Sequence, residues 1–472
     1  MGTAQLFFGN DQRSGDQQLA VASPLAVNVL VDGAGAVRRR PGISTWSGFP
    51  TTIPEASQVD GITSFEDEIY FVTASRRIYK VSSAGVATDL STLGTESFLA
   101  GAERPVFAET AFRLVIAGGE EPAKVDSAGT YAERLGGDPP WSTYAAPLAS
   151  RVFTNDLTDS STLGRIRASR TGNAGNETFD ALDFVASEAR PDSTVALREN
   201  SNELFAFGST TLQVWSPDPN TILATSRALN RGCAAPYSVI FDDEMFAWMT
   251  ERKTFIRSDG RSVEELSGAI DGTIGSLTAF SDGWGFRWDD DQFDALVWVF
   301  PSDGRSFTYQ RGAGWGQWHG WTQGAGHTVL PIKSHYYWPL MDLHLVGLAT
   351  GQIAKFDVTA TTDLGATIKA EVLTGFDNGG TDAVKSADCL RLTFKRGQAS
   401  TDAHVMLSWR DNLGAFCRPL RISLGTTGDT MPVVERRTLG TYRTRQWKLE
   451  FDGARDYVLA RSELEFTTEG GD

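Results

Sequence analysis

Short apolar segments that end in a polar turn recur along this chain at intervals of about 43 to 52 residues. The segments are 78–85, 123–129, 164–170, 212–218, 255–260, 307–312 and 353–357. A propeller blade has this length, because four short antiparallel strands and their turns use roughly 40–50 residues. The spacing therefore predicts a β-propeller of six to seven blades. Regularly spaced strands in an ordinary β-sandwich are the alternative.

Each repeat segment is preceded by another apolar strand, often after a turn, as in 62–72, 201–207 and 238–248. No window has apolar residues at helical spacing over three turns. The chain has 13 Trp, 27 Phe and 48 Gly, which suits many short strands joined by tight turns. These features predict an all-β fold.

The pattern changes after about residue 364. Segments with alternating polar and apolar residues lie at 366–372, 389–394, 404–409, 418–424, 445–451 and 457–466. Such alternation is typical of strands with one buried and one solvated face. We therefore expect three parts: an N-terminal arm or closing strand at 1–45, a β-propeller at 46–364, and a C-terminal β-sandwich-like domain at 365–472.

Charge limits the possible partners. The formal net charge is −16 and the pI is about 4.9, so the surface is poorly suited to neutralise nucleic-acid phosphates. An acidic wall suits a conduit that repels DNA better than a protein that binds it. The alternative is that the acidity only keeps the protein soluble.

The sequence predicts neither disulfides nor a metal or cofactor site. Cys233, Cys389 and Cys417 are far apart and odd in number, as expected of thiols in a reducing cytoplasm. The first residues lack the pattern of a signal peptide or of myristoylation. No stretch of about 18 apolar residues predicts a membrane-spanning helix.

Two clusters invite a chemical interpretation. Four histidines, at 319, 327, 335 and 344, lie in an aromatic-rich segment. A cluster of them could bind a metal or sense pH, but we expect ordinary packed or surface side chains. The acidic run 289–294 lacks the glycine and distal glutamate of a calcium loop, so we expect a turn between strands.

An enzyme is the less favoured prediction. No phosphate-binding loop, nucleophile elbow or zinc motif is present, so we expect no catalytic residue. The main rival is a propeller that recognises or hydrolyses carbohydrate. Ser258-Asp-Gly-Arg-Ser and Ser302-Asp-Gly-Arg-Ser only approach the Ser-x-Asp-x-Gly-x-Thr-Trp turn of such enzymes. A monomeric scaffold with another partner is a third possibility.

Three aromatic residues are candidate anchors for contacts between subunits. Trp315, Trp318 and Trp321 lie close together, and tryptophan is enriched at the centres of protein interfaces. Packing in the core of the chain is the alternative for each of them.

Several strings resemble the packaged-DNA stabilisation proteins that form the tail hub, or nozzle, of short-tailed bacteriophages (podoviruses). They agree with that family in order and lie at 28–33, 37–42, 207–216, 231–263, 436–443 and 447–451. The most characteristic are an Arg-x-x-Pro-Gly turn ending at Gly42 and Phe207-Gly followed by Ser-Thr-Thr. The histidine-rich region has no counterpart in the family pattern.

The resemblance implies a structural virion protein rather than an enzyme. It implies a ring of subunits, expected to be hexameric, beneath the portal and adaptor proteins, with tail needle, tail fibre or tailspike proteins as further partners. It also implies a channel that retains packaged DNA and conducts it on ejection without sequence-specific binding. The chain is then expected in the phage tail, after assembly in the cytoplasm of the bacterial host.

Overall fold

The structure is a computed structural model. It describes residues 2–6, 26–31, 36–49, 57–82, 85–91, 103–125, 132–170, 178–186, 192–268, 270–290, 292–396, 404–424, 430–451 and 457–469. The chain forms two compact units, one of residues 1–44, 287–330 and 356–472, and one of residues 45–286 and 331–355. We call them the two-sheet unit and the propeller unit.

Nearly all regular structure is strand, which confirms the prediction of an all-β fold. The helical elements among the described residues are a 3-10 turn at Pro236–Ser238 and one short helix at Asp271–Gly275. No helix in the described ranges has the length and apolar character needed to cross a membrane.

The propeller unit contains six antiparallel sheets in chain order, which we call blades 1 to 6. Blade 1 comprises Val59–Phe65, Glu68–Thr73, Ile78–Val81 and Ala87–Asp89. Blade 2 comprises Val106–Glu109, Leu114–Ala117, Ala123–Val125 and Ala132–Arg134. Blade 3 comprises Ala145–Leu148, Arg151–Asn155, Arg165–Ser169 and Thr178–Ala186, with Gly136–Gly137 parallel to the last strand.

The other three blades follow the same order. Blade 4 comprises Thr194–Asn200, Glu203–Gly208, Leu212–Asp218 and Ile222–Leu229. Blade 5 comprises Ile240–Asp242, Met245–Met249, Phe255–Ser258 and Val263–Glu265. Blade 6 comprises Ser334–Trp338, Leu343–Gly347 and the strand Ile353–Asp357, of which residues 353–355 belong to this unit.

Tight two-residue turns join the first and second strands of several blades. Positive φ angles occur at both central residues in Glu66-Asp67, Ala149-Ser150 and Ser201-Asn202. Two consecutive residues with positive φ define the type I′ turn, whose twist matches that of a β-hairpin. These local turns set the pairing register, for example Phe65 opposite Glu68 in blade 1.

Apolar clusters join successive blades. The first strands of blades 6, 1, 2, 3 and 4 contact one another in that order. Val59 and Ile62 of blade 1 pack with Leu345 and Ile353 of blade 6, and a larger cluster spans blades 3, 4 and 5. This six-bladed arrangement confirms the predicted propeller, because a single blade cannot bury both of its faces.

The two-sheet unit contains two large sheets. The strands of the seven-stranded sheet are Gly2–Gln5, Val29–Val31, Val37–Arg39, Lys385–Arg396, Val433–Arg437, Thr441–Tyr442 and Tyr457–Thr468. The nine-stranded sheet has Ala26–Val27, Trp284–Asp289 (residues 287–289 lie in this unit), Asp294–Phe300, Arg305–Gln310, Gly314–Gln317, Ala370–Leu373, His404–Asp411, Leu420–Ser423 and Arg445–Phe451. Shorter strands lie at Gly42–Thr45, His319–Thr322, Gly326–Val329, Thr362–Asp363 and Ala366–Thr367.

Both large sheets contribute to one apolar core. Leu390 and Leu464 come from the seven-stranded sheet, while Leu407 and Leu449 come from the nine-stranded sheet, and all four are fully buried. The two sheets therefore share one apolar core, and the predicted β-sandwich-like domain stays a prediction.

The predicted division into 1–45, 46–364 and 365–472 stays a prediction. Residues 1, 7–25 and 32–35 of the predicted arm lie outside the described residues.

Candidate functional site

The residues just before the first strands of several blades meet at one end of the propeller axis. We call this group the axial cluster; its members are Glu103, Arg104, Tyr144, Tyr237 and Trp284. They come from segments that precede or begin different sheets and are far apart in sequence. Their convergence shows that the first strands of these blades start at the same end of the axis.

A hydrogen bond and an aromatic stack cross the axis within this cluster. The Tyr237 hydroxyl, before blade 5, donates to Oε2 of Glu103, before blade 2, at 2.9 Å. The rings of Tyr144 and Tyr237 stack with centroids 5.5 Å apart, and the Tyr144 hydroxyl donates to the Pro236 carbonyl at 2.6 Å. Burial raises the pKa of both tyrosines, so both hydroxyls stay protonated.

Arg104 completes the closure of this end. Its guanidinium lies 4.5 Å from the centre of the Trp284 ring and donates to the carbonyl of Lys333, before blade 6. Burial lowers the pKa of Arg104 to about 10, although Asp60 acts in the opposite direction. Arg104 therefore remains charged at neutral pH. Side chains from before blades 2, 3 and 5 and a backbone carbonyl from before blade 6 thus meet at this end of the axis.

A second constellation explains the Ser-Thr-Thr string noted in the sequence. The Asp192 carboxylate is nearly buried and accepts hydrogen bonds from the backbone amides of Ser209, Thr210 and Thr211 at 2.8–3.0 Å. The three hydroxyls also donate to it. Burial alone raises the pKa of this carboxyl, but the hydrogen bonds outweigh burial and lower it.

Two glycines permit this close packing at the junction of blades 4 and 5. A Cβ on Gly208 would lie 2.3 Å from Oδ2 of Asp192, and one on Gly232 would lie 2.1 Å from the carbonyl oxygen of Ser209. The Gly232 carbonyl also accepts from the Trp248 indole at 2.9 Å. The strings at 207–216 and 231–263 therefore meet in one joint between blades.

The Arg-x-x-Pro-Gly turn begins at Arg38, and Arg40 is the residue just before its proline. Arg40 lies in the interior of the two-sheet unit, where it is 1 % exposed. Its guanidinium donates to both carboxylate oxygens of Asp363, at 3.1 and 2.6 Å. It also donates to Oδ1 of Asn28 and to the carbonyls of Pro41 and His319, at 2.8–2.9 Å. All five guanidinium N–H groups are thus used, as a buried arginine requires.

The closing string at 436–451 surrounds a second buried arginine. Nε and one terminal nitrogen of Arg445 donate to the carboxylate oxygens of Asp411 at 2.6 and 2.9 Å. Its guanidinium lies over the rings of Tyr442 and Trp447, 4.4 and 5.0 Å from their centres. Both buried arginines hold strands together, and neither is presented to a ligand.

The three predicted anchor residues have different environments. Trp315 and Trp318 are buried within the two-sheet unit, at 2 % and 0 % exposure. Trp315 stacks on Trp298, whereas Trp318 contacts Trp288 edge-on. Trp321 is only half-buried, and Nζ of Lys369 lies 4.1 Å from the centre of its ring. Their role as interface anchors stays a prediction, and Trp321 is the one with exposed surface to offer.

The four histidines do not meet in one group. In the two-sheet unit, the rings of His319 and His327 lie 5.7 Å apart, and burial lowers the pKa of His319 to about 4. In the propeller unit, Nε2 of His335 lies 3.0 Å from Nδ1 of His344, and burial lowers the pKa of His335 well below its usual value. Among the described residues, no three His, Cys, Asp or Glu side chains converge as metal ligands.

The acidic run lies in a turn between two strands of the nine-stranded sheet, as expected. Oδ1 of Asp290 accepts the backbone amides of Gln292 and Phe293, at 2.9 and 2.8 Å. Asp294 pairs with Arg287 at 2.9 Å. Residue 291 lies outside the described residues.

Sequence reasoning missed the axial cluster, the Asp192 turn and the partners of Arg40 and Arg445. The sequence singled out only the positions of the Asp192 turn and of Arg40, through the Ser-Thr-Thr string after Phe-Gly and the Arg-x-x-Pro-Gly turn. Each axial residue lies alone in a different connection between strands. Only the circular arrangement of the blades brings these residues together.

The sequence of residues 33–258 matches a family model described as "Phage_stabilise: Bacteriophage P22 Gp10, beta-propeller". The matched range includes Arg40, the Asp192 turn, both junction glycines and four members of the axial cluster. This part of the chain belongs to the Gp10 β-propeller family. The predicted family is therefore confirmed over the matched residues, and the match supports a bacteriophage structural protein.

Within the Gp10 family match lie blades 1 to 4 and most of blade 5. The family indicates a non-enzymatic role and a place in the virion. No curated protein sequence matches the chain significantly.

Many solved structures resemble the chain weakly. The computationally designed Ika8 protein has 11 % identity and a TM-score of 0.38, over 67 % of this chain and 99 % of its own. The Neurospora crassa Pan2 WD40 domain has 8 % identity and a TM-score of 0.42, over 67 % and 94 %. The BT4673 extracellular domain from B. thetaiotaomicron has 10 % identity and a TM-score of 0.45, over 87 % and 62 %. TM-scores this low support no inference about function.

Proposed function

We propose that this chain is a subunit of the tail hub, or nozzle, of a short-tailed bacteriophage. Several copies, most simply six, form a ring that extends the channel of the portal and adaptor proteins. The ring retains packaged DNA and conducts it during ejection. The observation that carries the proposal is the match of residues 33–258 to the Gp10 β-propeller family.

The axial cluster supports a channel between subunits rather than within one. Glu103 and Tyr237 are joined across the propeller axis at 2.9 Å, and Arg104 fills the space beside them. A DNA duplex has no route along an axis filled in this way. Copies arranged around a common axis enclose a wider passage, and head-to-tail contacts that close on themselves generate such a ring.

The remaining partners follow from a place in the tail. The portal and adaptor lie on one side of the ring, and tail needle, fibre or tailspike proteins bind elsewhere on it. DNA passes without sequence-specific contacts, because a chain of net charge −16 repels phosphate more than it binds it. The role is mechanical, without catalysis or a cofactor, and the ring is assembled in the bacterial cytoplasm.

Loss of the gene in the phage that encodes this chain tests the function. We expect particles lacking the protein to fill their heads and then lose DNA, and a plasmid copy to restore stable particles. Electron microscopy of antibody-labelled particles should place the chain in the tail. DNA-filled particles that remain stable without the protein, or label confined to the capsid shell, would contradict the proposal. A glycan-binding array and a sugar-turnover screen test the carbohydrate alternative separately.

A further inference from the structure

Positive charge is concentrated in one part of this acidic chain. Residues 404–448 hold eight Arg and Lys against three Asp and Glu, whereas the whole chain has a net charge of −16. Arg418, Arg421 and Arg437 are exposed. Arg418 makes no ion pair with any described residue, so its charge is available to a partner.

These arginines lie on or beside two open strand edges of the two-sheet unit. Among the described strands, Leu420–Ser423 ends the nine-stranded sheet and Val433–Arg437 ends one path of the seven-stranded sheet. Ile422 is fully buried, whereas Leu420 is 41 % exposed and Val433 55 % exposed. Arg437 pairs with Glu435 of its own strand at 3.1 Å. We therefore call only Arg418, Leu420 and Arg421, at the end of the nine-stranded sheet, the basic edge.

The composition of the basic edge fits a protein partner better than DNA. An open strand edge with exposed apolar residues is a template for contact with another polypeptide. Protein interfaces combine apolar residues with arginine, whereas interfaces with DNA are more polar and much more positively charged. The exposed Leu420 has no favourable contact to make with phosphates.

The propeller unit has a face of the opposite charge. The first strands of the blades start at the axial cluster, so the turns that follow these strands lie on the other face. Seven exposed carboxylates from five blades lie at these turns: Glu66, Asp67, Glu109, Glu199, Asp243, Glu244 and Asp342. We call this surface the acidic turn face.

Two observations support the acidic turn face as one charged surface. Burial and the neighbouring Glu66 charge raise the pKa of Glu109, so carboxylates of blades 1 and 2 interact there. The same turns expose Phe112, at 47 %, and Leu340, at 59 %. The face therefore offers both negative charge and apolar surface to the basic edge.

We propose that the basic edge of one copy of this chain binds the acidic turn face of a second copy. The contact is head-to-tail, because two different surfaces of the same chain meet, and such contacts generate rings. This inference rests on the proposed function, since it names the surfaces that join neighbouring subunits of the hub.

A charge swap tests the contact on the purified full-length chain. The edge variant is Arg418→Glu/Arg421→Glu, and the face variant is Asp243→Lys/Glu244→Lys. Sedimentation velocity at low salt should show self-association of the wild-type chain that weakens as salt screens the charges. Each variant alone should associate at least about tenfold more weakly. An equimolar mixture of both should recover association, because opposite charges face each other again.

The control is Arg77→Glu/Arg252→Glu, which changes the net charge as much as the edge variant does. Both side chains are well exposed, at 44 % and 67 %, and belong to neither surface. This variant should associate like the wild type.

Three results would overturn the proposal. One is a wild-type chain that stays monomeric up to about 100 μM at low salt. The second is a mixture of the two variants that fails to recover association. The third is binding of a labelled DNA duplex that the edge variant abolishes, which would make the basic edge a nucleic-acid surface. None of these results affects the outcome of the particle experiment above. Failure of the proposed contact can therefore be distinguished from failure of the proposed hub function.

Discussion

Arg40 and Asp363 form a buried, two-pronged ion pair, with N···O distances of 3.1 and 2.6 Å, between segments 323 positions apart in the chain. Asn28 and the carbonyl of His319 bind the same guanidinium. One side chain therefore connects three separate segments of the two-sheet unit. This is a structural reason for an arginine just before the Pro-Gly turn.

Replacing Arg40 should destabilise the chain strongly. Arg40→Met leaves the Asp363 carboxylate buried without its partner, and we expect a loss of about 3–5 kcal/mol in the free energy of unfolding. Urea denaturation followed by tryptophan fluorescence measures it. Arg38→Met is the matched control, because the Arg38–Asp290 pair is longer, at 3.5 Å, and partly exposed; its loss should stay within about 1 kcal/mol. Equal losses would show that the buried pair has no special role.

The junction of blades 4 and 5 should not tolerate a side chain at Gly208. Gly208→Ala places a Cβ 2.3 Å from Asp192, and relief of that clash should cost about 1–3 kcal/mol of stability. Gly268→Ala is the control, because no atom lies within 4 Å of its added Cβ. Thermal unfolding curves of the two variants should differ clearly. A Gly208→Ala curve that overlays the wild type would refute the close approach.

Asp192 should contribute to stability in a pH-dependent way. A carboxyl with a lower pKa in the folded chain stabilises it above the unfolded pKa, and that stabilisation is lost as pH falls through the folded pKa. Asp192→Asn should therefore lose about 1–3 kcal/mol at pH 7. The difference in unfolding free energy between Asp192→Asn and the wild type should become smaller below about pH 4.

The check for Asp192 is a series of urea curves from pH 7 to pH 3. Glu244→Gln, an exposed carboxylate of blade 5, serves as the control and should stay within about 0.5 kcal/mol of wild type throughout. A gap between Asp192→Asn and wild type that stays constant with pH would contradict the hydrogen-bonded carboxylate.

The cross-axis hydrogen bond should be measurable by removing one hydroxyl. Tyr237→Phe leaves Glu103 without its donor, and we expect a loss of about 1 kcal/mol. Tyr337→Phe removes a comparable bond, to Asp342 at 2.9 Å, on an exposed hairpin, and its effect should be close to zero. If both variants unfold at the same temperature, the axial bond contributes nothing.

Tyrosine ionisation should report the buried hydroxyls. Burial raises the pKa of Tyr144, Tyr237 and Tyr442 above the usual value of about 10. In a titration followed at 295 nm, at least these three of the ten tyrosines should stay protonated until the chain unfolds in alkali. Stability should fall as pH rises above about 10, because only the unfolded chain ionises them readily. In guanidinium, which unfolds the chain, all ten tyrosines should titrate in one step. If the native chain also titrated all ten in one step, that result would contradict the burial of the three hydroxyls.

The sequence predicted the sheet architecture because it is encoded locally. Segments such as 78–85 and 353–357 recur at blade spacing, and turns such as Glu66-Asp67 fix each hairpin without help from distant residues. The same local logic predicted the turn in the acidic run, where Asp290 accepts the amides of the next residues.

Contacts between distant segments could not be predicted in this way. Nothing near Arg40 indicates Asp363, and nothing near Glu103 indicates Tyr237, because each pair is created by the tertiary fold. The even spacing of the four histidines also says nothing about which of them meet in space. His319 and His335 lie in different compact units, although they are neighbours in the sequence pattern.

The filled propeller axis also bears on how DNA release is controlled. Side chains that are locked together from opposite blades make each propeller a stiff block with no aperture of its own to adjust. In the proposed hub, passage then opens or shuts only when whole blocks tilt or slide against one another. Mutations that block or accelerate DNA release should therefore cluster at the contacts between subunits. Mutations inside a blade should leave DNA release unchanged unless they unfold the propeller.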